Sequence, residues 1–214
     1  MRFGTTHASL KPLDEIVLPD PRFESIGLGI GGNFRPFDLL DLHSRLNEST
    51  LLSSVPEKIR CQYETARNMV LYSWFVFEFH TLGELQAFAA LELALRTKFP
   101  NAKKNIKRKG VEKTTPLTLR PLLAVAIEAG SIHAEKTSAW KNYKFKSESH
   151  QNNPSITSGS ILSPANWLNN YADYIANYRN SLAHGEFRLD FMDSIRQLDF
   201  CADLINQLFP PAKS

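Results

Sequence analysis

Within the segment YRNSLAHGEF, residues 178–187, an arginine, an amide and a histidine fall inside six positions: Arg179, Asn180 and His184. Arginine offers a permanent cation with a planar fork of donors, and histidine gains or loses a proton near neutral pH. Together they are suited to handling a phosphate group. Asn180 and His184 are four apart, so on a helix they share a face and the amide can orient the ring. Arg179 and His184 are five apart, which is about 140° around an ideal helix, so a regular helix does not aim both at one pocket. Either the last turn unwinds at Gly185, or the site forms between two copies of the chain. This spacing is the main reason to expect a homodimer. A histidine at a helix C-terminus also serves as a capping cation, and an Arg–His pair at this distance is a short pattern that arises by chance.

The elements that must position these residues are helical. Ser163 and Pro164 suit an N-cap and first helical residue. Trp167, Tyr171, Tyr174 and Tyr178 then recur at helical steps as a core or interface stripe, and Gly185 ends the segment. A last helix is expected from about Leu189 to Leu208, ended by Pro210 and Pro211. Upstream, Ile59, Tyr63, Ala66, Val70, Trp74 and Phe77 mark one buried stripe from Pro56 onward. The Ala- and Leu-rich run from Thr81 to Phe99 predicts a second helix, kinked or broken at Gly83 and ended by Pro100. A third, shorter helix precedes Gly130, with Pro116 at an early position or a start delayed to Pro121. Residues 140–160 are polar, with Pro154 and Gly159, and read as a long exposed loop. The fold expected is all-α: a bundle of four to five helices over residues 56–214, with a non-helical N-terminal arm over residues 1–55. Prolines at 12, 19, 21 and 36 and glycines at 27, 29, 31 and 32 oppose a long helix in that arm. A short strand or turn around FESIGLGIGGNF and a short helix over 38–52 fit its sequence, and the arm is read as packing on the bundle or on a partner.

Net charge is only +3, but its distribution is uneven. Residues 96–146 hold 13 of the 25 Lys and Arg against three acids, Glu112, Glu128 and Glu135. Most of the excess lies in Lys98–Lys113, including Lys103, Lys104, Lys107, Arg108 and Lys109. Such a run reads either as a solvated loop or as an electrostatic footprint for a phosphate backbone. Cys61 and Cys201 sit in apolar helical contexts and read as buried thiols of a reducing cytoplasm, with no metal-ligand spacing. No run of 18 apolar residues and no signal-peptide core is present, which argues against a membrane partner and for a cytoplasmic protein. His80, His133, His43 and His150 read as surface or capping residues. Glu84 and Glu92 lie on one side of the second helix; either could pair with Arg179, with at least one solvated.

The sequence RNSLAHG, between an aromatic-rich helix and one further helix, resembles the signature of the HEPN superfamily: Arg, a polar residue often Asn, and His after four to six intervening positions. Arg179, Asn180 and His184 match it residue by residue, with four positions between Arg and His. The run Ala89–Arg96 resembles the second long helix of such bundles. The resemblance covers about residues 57–208 and implies a HEPN-like bundle acting as a metal-independent endoribonuclease. It further implies a homodimer with the two motifs facing one another, RNA as substrate, and no cofactor or metal. Many members of the superfamily are toxins or defence effectors, so an antitoxin protein is a candidate partner. On chemical grounds RNA brings its own nucleophile, the 2′-hydroxyl. The catalytic needs are then a proton acceptor or donor, for His184, and a cation on phosphate, for Arg179, with Asn180 holding the imidazole or contacting ribose. The alternative is a non-catalytic nucleic-acid-binding module using Lys103, Lys104, Lys107, Arg108 and Lys109, or a protein-interaction scaffold.

Overall fold

A computed structural model describes residues 10–108, 111–151, 162–185 and 190–212. The described chain is all-α apart from two short hairpins. Its helices are α1 (Leu39–Glu48), α2 (Glu57–Tyr72), α3 (Phe79–Lys98), α4 (Leu119–Glu128), α5 (Ser138–Gln151), α6 (Pro164–Ala183) and α7 (Phe191–Leu208). The hairpins pair β1 (Gly27–Ile30) with β2 (Asn33–Pro36), and β3 (Lys103–Arg108) with β4 (Val111–Pro116), both antiparallel. No described helix is long and apolar enough to cross a membrane.

The centre is α3, which packs against α2, α4, α6 and α7. It is apolar on nearly every side, with Ala87, Phe88, Ala90, Leu91, Ala94 and Leu95 buried, as a helix enclosed by neighbours must be. Gly83 neither kinks nor breaks it. A Cβ there would lie 2.5 Å from Val70 Cγ2 and 3.0 Å from the Ala66 carbonyl. The glycine therefore lets α2 approach α3, and the packing gained offsets its low helix propensity. On α2 the expected Ile59, Tyr63, Ala66 and Val70 are buried, but the helix ends at Tyr72, so Trp74 and Phe77 of the same expected stripe lie in the turn before α3. Residues 56–214 hold six described helices, α2 to α7, one more than the four to five expected; α1 supplies the short helix expected in the arm, started by an Asp38 capping box.

The arm belongs to the same core. Phe23 and Phe37 are buried with Trp74, Phe77 and Phe191, and the Phe23 ring lies 5.0 Å from that of Phe191. Burying one such ring contributes about 1.5–3 kcal/mol. Asp20 fastens the arm to the α2–α3 turn: its backbone N–H donates to the Trp74 carbonyl at 2.8 Å, and its carboxylate binds Arg22, which also reaches Glu78 at 2.7 Å.

Four expectations need correction. Residues 138–151 form α5 and not a loop; Trp140 and Tyr143, three apart, set it against Trp167. The basic run is not a loop, since β3 and β4 pair from Lys103 opposite Pro116 to Arg108 opposite Val111. Pro116 accordingly ends a strand, and α4 begins at Leu119 with Pro121 in its first turn, where a missing N–H costs nothing. Cys61 is exposed. Cys201 is buried as expected, and burial together with nearby Glu84 and Asp203 pushes its thiol well above the usual range.

Candidate functional site

The N-terminus of α6 is built as its sequence indicates. Pro164 is the first residue and the Ser163 hydroxyl accepts from the Asn166 N–H at 3.3 Å. Its aromatic stripe faces inward: Trp167 stacks on Tyr171 at 4.9 Å, and Tyr174 on Tyr178 at 5.8 Å. The helix stays regular to its end. His184 is the C-cap, at φ −92° and ψ 5°; its N–H donates to the Asn180 and Ser181 carbonyls, each at 3.1 Å, and Gly185 follows at φ +85°. Asn180 and His184 are both exposed.

Arg179 is half-buried and oriented by α3. Its Nη2 lies 3.6 Å from Glu92 Oε2, while Glu92 Oε1 accepts from Arg96 Nη2 at 2.5 Å. The Asn180 amide meets Arg179 Nη1 at 3.5 Å, at the outer limit for a hydrogen bond. No described hydrogen bond joins Asn180 to the His184 ring.

The preceding residue, Tyr178, points into the core. Its hydroxyl donates to Glu84 Oε2, and the Ser194 hydroxyl of α7 donates to Glu84 Oε1. His80 Nδ1 lies 2.7 Å from the same Ser194 oxygen. Glu84 and His80 are buried, so His80 is a core residue and not the surface or capping group expected. Nor is either carboxylate of α3 solvated: Glu84 is wholly buried and Glu92 is 9% exposed. Buried carboxylates are tolerated when their oxygens are satisfied, and hydroxyls do this for Glu84 as arginines do for Glu92.

Of the basic residues, Lys103 is exposed, and Lys104, Lys107 and Arg108 lie along β3. Lys109 lies outside the described residues. Among the described residues no group of three or more His, Cys, Asp and Glu could hold a metal ion.

Glu84, Glu92, Arg96 and Tyr178 thus support or border the motif. The Glu92–Arg96 spacing of four was a legible signal of a helix-surface ion pair; the joining of α3 to α6 was not. No family model, no curated protein and no solved structure matches this chain.

Proposed function

We propose that this protein is a metal-independent endoribonuclease of HEPN type, acting as a homodimer. The observation that carries the reading is the exposed end of α6. There His184 and Asn180 are accessible, and Arg179 is held half-buried against a carboxylate. The 2′-hydroxyl of the substrate attacks the adjacent phosphorus. His184 accepts or delivers the proton, and Arg179 offsets the charge gathering on the phosphate oxygens. The bond to the 5′-oxygen breaks, and that oxygen takes up a proton. The products are a 2′,3′-cyclic phosphate and a 5′-hydroxyl. Arg179 and His184 are five positions apart, about 140° around an ideal helix, a spacing that favours a site shared between copies. Two facing copies supply both groups, and two histidines serve as base and acid. A toxin or defence effector held by an antitoxin is the cellular role that suits such an activity.

The test is cleavage of mixed tRNA and mRNA in EDTA by the wild type and His184→Ala. Wild type is expected to leave cyclic phosphate ends, and the variant to lose about 10²- to 10⁴-fold in rate. No cleavage by folded, dimeric wild type, or equal cleavage by both, overturns the assignment. Growth arrest on expression, relieved by His184→Ala, is the expected cellular counterpart.

A further inference from the structure

Two features that are far apart in the sequence meet in the fold. The β3–β4 hairpin leaves the end of α3 and returns into α4, so its base lies beside the last turns of α3. Arg96 Nη2 reaches the Leu117 carbonyl, one residue past β4, at 3.4 Å, and the same nitrogen donates to Glu92. The other oxygen of Glu92 faces Arg179. Two guanidinium groups, one from each side, therefore converge on a single carboxylate.

Further cations lie on the hairpin and on α4. Arg120, in the first turn of α4, is paired with Asp173 of α6, with Nη2 3.3 Å from Oδ2. Lys103 opens β3, is exposed, and stands opposite Pro116 in register. Lys103 at the hairpin base, Arg96 on α3 and Arg179 on α6 thus follow one another across this junction, with Glu92 between the two arginines.

We propose that this junction is a track for the phosphodiester backbone of single-stranded RNA, running from the hairpin to Arg179, with Arg96 as its central residue. The inference rests on the ribonuclease reading above and names the path by which that substrate reaches the motif. Arg96 is exposed and uses only Nη2 in its described hydrogen bonds. A guanidinium has five N–H donors, so Nε and Nη1 remain for a phosphate oxygen. Ion pairs at half-exposed positions are weak in water, so incoming phosphates can compete for these arginines. Glu92 meanwhile keeps the two guanidinium groups side by side despite their repulsion. A series of separate cations suits a flexible single strand better than the fixed phosphate rows of a duplex.

The experiment measures binding apart from cleavage. A 2′-O-methyl RNA oligonucleotide lacks the nucleophile and cannot be cut. Its affinity is measured in EDTA across a salt series for the wild type, Arg96→Gln, Lys103→Gln, and Arg45→Gln as a distant control. Lys103→Gln makes a second probe that leaves the Glu92 ion pairs intact. Arg96→Gln is expected to weaken binding several-fold, and each track variant to reduce the salt slope by about 0.7 for every phosphate it no longer neutralises. Arg45→Gln should match the wild type, and a duplex of the same sequence should bind more weakly. Wild-type affinity and slope in both track variants overturn the track, even if the wild type cleaves RNA with His184. Tighter binding of the duplex overturns the single-strand assignment. Salt-sensitive binding that depends on Arg96 and Lys103, without any cleavage, leaves the track standing and removes the ribonuclease reading.

Discussion

Glu84 and Glu92 lie on the same helix, and each meets one of two consecutive residues on α6. Glu84 takes Tyr178 into the core, and Glu92 holds Arg179 at the rim. Their partners differ in kind. Two hydroxyls satisfy Glu84 in the buried core, whereas Glu92 faces two arginines that remain partly open to solvent. The first arrangement fixes where the end of α6 sits. The second leaves the neighbouring cation able to exchange its partner. A rigid anchor beside a weak surface pair is a sound way to present a binding group, because the backbone is held while the charged head stays available.

Removing the inner carboxylate should have the largest effect. Glu84→Ala removes the buried carboxylate that accepts from the Tyr178 and Ser194 hydroxyls, and a loss of about 3 kcal/mol or more is expected. Urea denaturation measures it. A loss below about 1 kcal/mol would show that the buried network is no anchor. A change at the rim should behave differently. Glu92→Gln is expected to alter stability by about 1 kcal/mol or less, yet to tighten RNA binding and lower the cleavage rate. The carboxylate no longer competes with phosphate, and Arg179 loses its orientation. Separate kcat and KM values check this; a fall in stability as large as that of Glu84→Ala would erase the distinction between core and rim.

The smallest effect sharpens the comparison through pH. Asp20 also pairs with a guanidinium, that of Arg22 within the arm, and Arg22 in turn reaches Glu78 of the bundle. Burial pushes the Asp20 carboxyl up; hydrogen bonds from Arg22 and the Arg22 charge outweigh this and hold it below the ordinary range. A depressed acid contributes stability above its unfolded pKa, about 3.9, and loses it as pH falls through the folded value. Thermal melts of the wild type and Asp20→Asn should therefore differ at pH 7 and converge below about pH 4. A gap that widens on acidification would contradict the pairing.

Much of this was legible in the chain. Periodicity marks α2, α6 and α7 because each turns a sustained apolar stripe inward, and an Ala- and Leu-rich composition marks α3. Ser163–Pro164 and Gly185 bound α6 through local capping chemistry, and that alone places Arg179, Asn180 and His184 at a helix end. Helix α5 was not legible, because a polar segment with two core aromatics carries almost no stripe. The hairpin was hidden as well, since Lys103–Arg108 and Val111–Pro116 acquire strand character only by pairing with each other.

The sequence by itself therefore determined the all-α class, the main helices and the order of the motif residues, all of which depend on contacts within a few residues. Tertiary structure decided what lies beyond that range. It buried His80 and Glu84, turned Tyr178 inward and Arg179 to the rim, and brought Arg96 and the basic hairpin beside the motif. These outcomes depend on which faces of separate helices meet, and helix packing is set by the whole surface of each helix rather than by any local pattern.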